Sequence, residues 1–198
     1  MPRVSREQSE RHRQDILAAS SRLFRERGID GTSVADLMGA AGLTHGGFYG
    51  HFDSKDALAA QVCAEAFTAS ARRWRDRRAQ AAKEGGGDAA AFRAIVTGYL
   101  SERARDQPGT ACPATSLAAD VVRAEPGSPV KAAFAGGVAE LLEVLQDLGD
   151  APDAEANRAR ALVALSTLVG AQLLARATRG TPMSREFLDA ARDALAVD

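Results

Sequence analysis

Hydroxyl, imidazole and ammonium groups that can donate hydrogen bonds to phosphates or base edges are concentrated in residues 44–55, THGGFYGHFDSK. Only Phe48 and Phe52 in this stretch are large and apolar. The adjacent glycines Gly46 and Gly47 would each cost an isolated helix roughly 1 kcal/mol relative to alanine, but they would let the backbone approach a partner closely. We therefore expect a short helix that buries a thin apolar side and turns its other side to DNA. The alternative is a frayed glycine-rich turn.

The segment before this stretch has the pattern of another short helix that ends at a glycine. Ser33 and Asp36 have the spacing of a capping box. The apolar residues that follow recur at helical spacing: Val34, Leu37, Met38 and Ala41. Gly42 tolerates the left-handed conformation in which helices often end, and Thr44 is a favourable N-cap for the next helix. Two short helices around a glycine turn predict a helix-turn-helix, whose second helix enters the major groove of DNA.

Positive charge is concentrated in the part of the chain that holds this motif. Residues 1–78 contain 13 Lys and Arg against 10 Asp and Glu, whereas the remaining residues are acidic on balance. Lys55 falls in the first turn of a helix, where its charge opposes the helix dipole, and this suggests that a phosphate lies nearby. A basic arm, residues 1–12, either follows the DNA or is a solvated tail. The arginines considered for the arm and the start of the first helix are Arg3, Arg6, Arg11 and Arg13.

A second candidate site surrounds Cys112. Proline favours the first position of a helix, so Pro113 places Cys112 at the N-cap, where the helix dipole lowers a thiol pKa. That would suit a sensor of oxidants or electrophiles, although an inert buried cysteine is the common case. Otherwise we expect a pocket for a small hydrophobic effector. Its candidate lining residues are Phe67, Trp74, Phe92, Tyr99, Phe134 and Gln172.

Composition excludes several other classes of protein and site. No run of 18 apolar residues suggests a membrane span, and the polar N-terminus lacks the apolar region of a signal peptide, so we expect a cytoplasmic protein without a membrane partner. Two cysteines make no disulfide framework and lack metal-site spacing, and no cofactor motif is present. The arginine run at residues 72–78 is interpreted as a solvated face.

Apolar periodicity predicts an all-α protein of about nine helices, since no stretch has the period of a strand. The first helix buries Ile16, Leu17, Leu23 and Phe24 and ends at Gly28, and a long helix follows the motif to about residue 83. We expect a DNA-binding domain at residues 1–53 and a larger helical effector-binding and dimerisation domain at residues 54–198.

The segments TSVADL, AAGLT, FYGHF and SKDAL together resemble the DNA-binding domain of the TetR/AcrR family of bacterial regulators. The resemblance implies that Thr44, His45 and Gly46 lie nearest the bases in double-stranded operator DNA and that Gly47 is also a DNA-binding residue. It assigns the phosphate contacts to Ser33, Tyr49, His51 and Lys55; the alternative for His51 is a partly buried structural histidine. It also implies a homodimer through the last two helices and a small-molecule effector. Met38 departs from the alanine usual in helix-turn-helix motifs, and a flexible methionine can fill that position.

These features predict a repressor released from its operator by a small hydrophobic or thiol-reactive effector. An activator or an effector-free DNA-binding protein is the main alternative. An enzyme that uses Cys112 as a nucleophile would need a nearby general base. His12, His45 and His51 all lie in the first quarter of the chain, far from Cys112 in sequence, so we expect no enzymatic activity.

Overall fold

Helices account for nearly all of the regular structure in a computed structural model of the chain, which describes residues 6–149 and 153–196. Nine α-helices and two 3₁₀ helices, with no strand, are found in these ranges. The α-helices are α1 (Arg6–Arg27), α2 (Val34–Ala40), α3 (Lys55–Lys83), α4 (Gly87–Tyr99), α5 (Glu102–Asp106), α6 (Pro113–Arg123), α7 (Pro129–Gln146), α8 (Ala154–Ala177) and α9 (Met183–Ala196). The 3₁₀ helices are His45–Gly50, here called the recognition segment, and Pro108–Thr110. The all-α prediction is confirmed.

The helix-turn-helix forms largely as its sequence predicts. Ser33 caps α2 in a full capping box, with the Asp36 amide donating to the Ser33 hydroxyl at 3.1 Å and the Ser33 amide donating to the Asp36 carboxylate at 2.9 Å. Gly42 follows α2 with φ at +71°, which favours glycine. The recognition segment differs from expectation because it is a 3₁₀ helix and the Thr44 side chain makes no cap hydrogen bond. Its glycines weaken an α-helix, and its fold depends on the buried Phe48 beneath it.

Helix α1 packs behind the motif and buries the expected apolar face. It begins at Arg6, so Arg6 and Arg11 belong to a helix rather than to an extended arm; Arg3 lies outside the described residues. Arg13 has a structural role, since its guanidinium lies 4.7 Å from the centroid of the Phe52 ring and donates to Gln61 at 2.7 Å. The basic arm predicted for residues 1–12 is therefore helical from Arg6 onward.

The remaining helices form a bundle around α3, which packs along α7 and α4, while α8 packs against α7 and α9. Gly137 of α7 lies so close to α3 that an added methyl group would overlap the Phe67 ring. Helix α8 is long and apolar enough to cross a membrane by length and composition alone. One side of it is buried in the bundle, however, and apolar residues such as Leu162 and Leu173 lie exposed on the other. A helix that packs against its own bundle on one side and against a partner protein on the other would have the same apolar composition.

Candidate nucleic-acid interface and effector cavity

The recognition segment presents the predicted base-contacting residues on one surface. The residues from Thr44 to Gly47 are all exposed, and Tyr49 is 70% exposed. Phe48 and Phe52 point inward with ring centroids 5.8 Å apart, which confirms their expected role as anchors. A methyl group added at Gly46 would meet no atom of the chain within 4 Å. The polar groups and the open backbone therefore face outward together, as a DNA-contacting surface requires.

His51 lies beside this surface rather than on it. It is half-buried, and its ring meets that of His12 edge to face at a centroid distance of 6.2 Å. His51 thus connects α1 to the end of the recognition segment. Its contact with phosphate remains a prediction.

Lys55 and Ser33 already have partners within the chain. The Lys55 ammonium donates to the backbone oxygens of Ile29 at 3.0 Å and Thr32 at 3.3 Å, so its place in the first turn of α3 is explained without an anion. The Ser33 amide and hydroxyl are both engaged by Asp36. Lys55 keeps a third N–H donor that a phosphate could accept, whereas Ser33 would have to leave its cap to donate to one. Their DNA contacts, including the phosphate inferred beside Lys55, stay predictions.

A cavity of about 110 Å³ lies among α3, α4, α6 and α8, beneath the loop that joins α5 to α6. We call it the effector cavity after the role predicted for its lining residues from the sequence, which stays a prediction. Its walls combine two aromatic rings with several polar groups. The lining residues are Ser70, Arg73, Trp74, Arg77, Gly98, Tyr99, Ala104, Thr110, Ala111, Cys112, Thr115, Gln172 and Arg176.

The structure separates the residues predicted to form one hydrophobic pocket. Trp74, Tyr99, Cys112 and Gln172 line the effector cavity. Phe67 and Phe134 instead pack edge to face, 5.2 Å apart, in the contact between α3 and α7. Phe92 lines a different groove, formed by α4 and the ends of α7, α8 and α9. The structure therefore places these three phenylalanines away from the effector cavity, because helical spacing shows which residues face inward but not which of them border a cavity. Which residues contact an effector stays a prediction.

The sequence predicts that the arginine run 72–78 is a solvated face rather than a second DNA site, and Arg72, Arg73 and Arg75 are indeed exposed, but part of the run also borders a cavity. Arg73 and Arg77 line the effector cavity, and Arg176 of α8 joins them. Close approach of Arg77 to α4 depends on Gly98, because any side chain there would overlap the guanidinium. The sequence held a signal for the two on α3: Ser70, Arg73, Trp74 and Arg77 recur at helical spacing. It held none for Arg176.

Cys112 is the N-cap of α6, as predicted, but its surroundings oppose the expected reactivity. The residue is only 8% exposed. Burial raises the pKa of the Cys112 thiol, and this outweighs the lowering by hydrogen bonds from the Ala114 amide and the Tyr99 hydroxyl and by the nearby Arg73 charge. Desolvation of the thiolate thus exceeds the stabilising effect of the helix N-terminus. The expected lowering of this pKa is corrected to a rise.

Slow alkylation of Cys112 follows from this raised pKa. At pH 7 we expect iodoacetamide to modify it more slowly than it modifies glutathione, with the rate rising into the alkaline range as the thiolate forms. The measurement is mass spectrometry of a Cys63→Ser variant, in which Cys112 is the one remaining cysteine. Denaturant should abolish the difference between the alkylation rates of Cys112 and glutathione. Alkylation in the folded protein at or above the glutathione rate would contradict it.

Comparison with known proteins agrees with the helix-turn-helix and extends to the whole fold. Residues 16–62 match the family model described as bacterial regulatory proteins, tetR family. The chain is 41% identical over 56 residues to the transcriptional repressor DhaR of Mycobacterium sp. (strain GP1), a segment covering 28% of each protein. It is 36% identical over 62 residues to the regulator AcrR of Shigella flexneri, covering 31% of this chain and 29% of AcrR. The matched segment thus spans less than a third of either relative.

Solved structures match over nearly the full length. A TetR-family regulator from Agrobacterium tumefaciens superposes with a TM-score of 0.77 at 21% identity, covering 94% of this chain and 97% of that one. The reduced form of E. coli NemR gives a TM-score of 0.76 at 20% identity, covering 93% and 94%. At such identities the likeness concerns the fold. Residues 16–62 are therefore a DNA-binding domain of the tetR family, and the rest of the chain has the fold of TetR-family structures.

Proposed function

We propose that the protein is a homodimeric repressor that leaves its operator when a small molecule enters the effector cavity. The main support is the outward surface of the recognition segment, where exposed polar groups surround an open glycine backbone. In the matched segment it resembles DhaR and also KstR2 of Rhodococcus jostii, to which it is 40% identical over 50 residues. Both relatives are named as repressors. We place the domain boundary at residues 53 and 54, just before α3.

A direct hydrogen bond joins the wall of the effector cavity to the DNA-binding domain. Arg25 of α1 donates to the backbone oxygen of Ala111, a cavity-lining residue, at 3.0 Å. In the same loop, Gly109 packs against Glu26 so closely that a side chain would overlap it. Movement of this loop on effector binding would therefore shift α1 and, with it, the recognition segment. Effector binding then favours a spacing of the two recognition segments that does not fit successive grooves of DNA.

The cavity, rather than thiol chemistry at Cys112, is the better-supported sensor. The Cys112 thiol is buried and its pKa is raised, so it is poorly suited to rapid reaction with electrophiles. We therefore expect Cys112→Ser to leave the response to a non-covalent effector intact. An electrophile that released the protein from DNA, but not the Cys112→Ser variant, would restore the thiol-reactive mechanism.

DNA binding is tested by fluorescence anisotropy with DNA from upstream of the protein's own gene, beside a scrambled duplex, across a salt series. We expect selective binding that weakens as salt rises, because phosphate contacts release counterions. If both duplexes bind equally weakly, selection from random DNA shows whether the protein prefers another sequence. Failure to enrich any sequence there would overturn the proposal.

Tyr49→Phe should weaken binding to every operator variant by a similar factor, of about tenfold, if the exposed hydroxyl holds a phosphate. Phosphates are common to all sequences, so the loss is uniform. Anisotropy titrations with a set of operator variants measure it. A loss confined to some variants would assign Tyr49 to the bases instead. Gly136→Ala, on the exposed side of α7, controls for differences in protein preparation and in folding between variants.

A further inference from the structure

We propose that the effector cavity binds a small oxyanion, either an organic carboxylate or an inorganic anion of similar size. This inference rests on the proposed function only in calling the bound molecule the effector; binding itself can be measured without DNA. It replaces the hydrophobic effector expected from the sequence with a charged one.

The charged side chains that line the cavity are all positive. Arg73, Arg77 and Arg176 line it, whereas no Asp or Glu appears among its lining residues. In the part of the chain that the structure describes, none of the three forms a salt bridge with a carboxylate. Arginines packed inside proteins are normally paired, because removing a charge from water is costly. Arg77 and Arg176 are half-buried without a carboxylate partner, and Arg73, which is exposed, adds a third positive charge to the cavity wall, so the site favours an anion.

The arginines are held in place by neutral groups. Arg73 donates to the Ser70 hydroxyl at 2.8 Å, and Arg77 donates to the backbone oxygen of Ala94. Arg176 donates to the Ser116 hydroxyl and to the Ala104 backbone oxygen, each at 2.9 Å. These bonds fix the directions of the side chains without neutralising their charges. Guanidinium groups preorganised in this way match the planar geometry of a carboxylate.

An independent observation is the unsatisfied amide of Gln172. Its side chain lines the cavity, the residue is 1% exposed, and both its oxygen and its nitrogen lack a hydrogen-bond partner. The Nε of Arg176, one helical turn away, also lacks a partner. Buried polar groups are nearly always satisfied, so two donors here, the Gln172 Nε2 and the Arg176 Nε, lack an acceptor. An oxyanion would accept from both, whereas the Gln172 Oε1 needs a donor that the anion does not supply.

The electrostatic effects on the arginines point the same way. Burial lowers the pKa of Arg77 and of Arg176, and the Arg73 charge lowers the pKa of Arg77 further. The Arg73 charge also lowers the pKa of Arg25, the residue that connects the cavity loop to α1. An anion among these groups would relieve their repulsion and would act on the α1 connection.

Size and apolar contacts limit the ligand. The volume of the cavity, about 110 Å³, limits the ligand to a small molecule. The rings of Trp74 and Tyr99, 6.1 Å apart, offer an apolar wall for a short hydrocarbon or aromatic group. We therefore expect acids with small apolar parts to bind best.

The test uses the full chain without DNA, at constant ionic strength, and measures thermal shifts and calorimetric titrations. The probes are acetate, butyrate, benzoate and inorganic phosphate, with butyramide and benzamide as neutral counterparts. We expect saturable binding of at least one anion and none of its amide. Carboxylate binding identifies an organic acid, and binding of phosphate alone identifies an inorganic anion. Equal binding of acids and amides, or no binding of any anion, would overturn the proposal.

Two variants locate the site. Arg73→Met should lower anion affinity about tenfold or more, whereas Arg72→Met, an exposed neighbour outside the cavity, should not. Gln172→Leu should raise thermal stability by removing two unsatisfied atoms and should still weaken anion binding. Equal effects of Arg73→Met and Arg72→Met would place binding elsewhere. If an anion binds as expected but does not release DNA, the cavity assignment holds and the proposed effector mechanism fails.

Discussion

Alanine in place of Gly137 should lower the free energy of unfolding by roughly 1–3 kcal/mol, the usual cost of overpacking a core. A methyl group at this position would overlap the Phe67 ring, which is fully buried and packs against Phe134. Neither ring can move far without separating α3 from α7, the most extensive helix contact in the bundle. Urea denaturation at a fixed protein concentration measures the loss.

The neighbouring glycine provides a matched control. Gly136 lies in the same helix but is exposed, and a methyl group there would meet nothing within 4 Å. Gly136→Ala should therefore raise the free energy of unfolding by about 0.4–1 kcal/mol through lower entropy of the unfolded chain. If the two substitutions change the free energy of unfolding in opposite directions, the contact of residue 137 with Phe67 explains the difference. Stabilisation by both substitutions would show that α3 and α7 are packed more loosely than described.

Features that depend on neighbours in sequence could be predicted. The capping box of Ser33 and Asp36, the left-handed Gly42, and Cys112 at the N-cap before Pro113 all depend on local backbone geometry. Helical spacing likewise identified the buried face of α1. These signals act within a few residues, so the sequence contains all that determines them.

Features that depend on distant contacts could not be predicted. The carbonyls that bind Lys55 come from a loop 23 and 26 residues earlier in the chain. The raised pKa of Cys112 arises from burial beneath helices that are remote in sequence, which no local pattern reveals. Arg176 lines a cavity with Arg73 although their residue numbers differ by 103, and its hydrogen-bond partner Ser116 lies 60 positions earlier. Periodicity indicates that a side chain turns inward, whereas its surroundings depend on how the helices pack.

The recognition segment contains both features that neighbouring residues determine and features that packing determines. Its polar surface and its aromatic anchors follow from residue types, and both are present in the structure. Its 3₁₀ geometry does not follow from them, because the glycines weaken any helix and the buried Phe48 and Phe52 then determine the backbone path. The recognition segment packs mainly on α2, and α1 contacts the residues that follow it through the His12–His51 and Arg13–Phe52 pairs. Changes transmitted through α1 can therefore alter how the recognition segment meets DNA.

Glutamate in place of Leu173 should convert a homodimer into monomers and lower apparent operator affinity by about 10²–10⁴-fold, the usual gain from joining two binding sites. Leu173 is 49% exposed on α8, on the side where Leu162 and Gly170 also leave open apolar surface. A pair of buried carboxylates at a two-fold interface would be unpaired and repulsive. The folded monomer should be little affected, because the side chain faces outward.

Val122→Glu is the matched control for this substitution. Val122 is 80% exposed on α6, outside the surface formed by α8 and α9, so the same charge there should change neither mass nor DNA affinity. Sedimentation velocity gives the mass of each variant, and anisotropy with a full operator and with a half-site gives affinity. We expect Leu173→Glu to bind both DNAs alike, since a monomer occupies one half-site. A Leu173→Glu protein that remains dimeric would exclude α8 from the interface, and a monomer with unchanged operator affinity would show that dimerisation is not required for DNA binding.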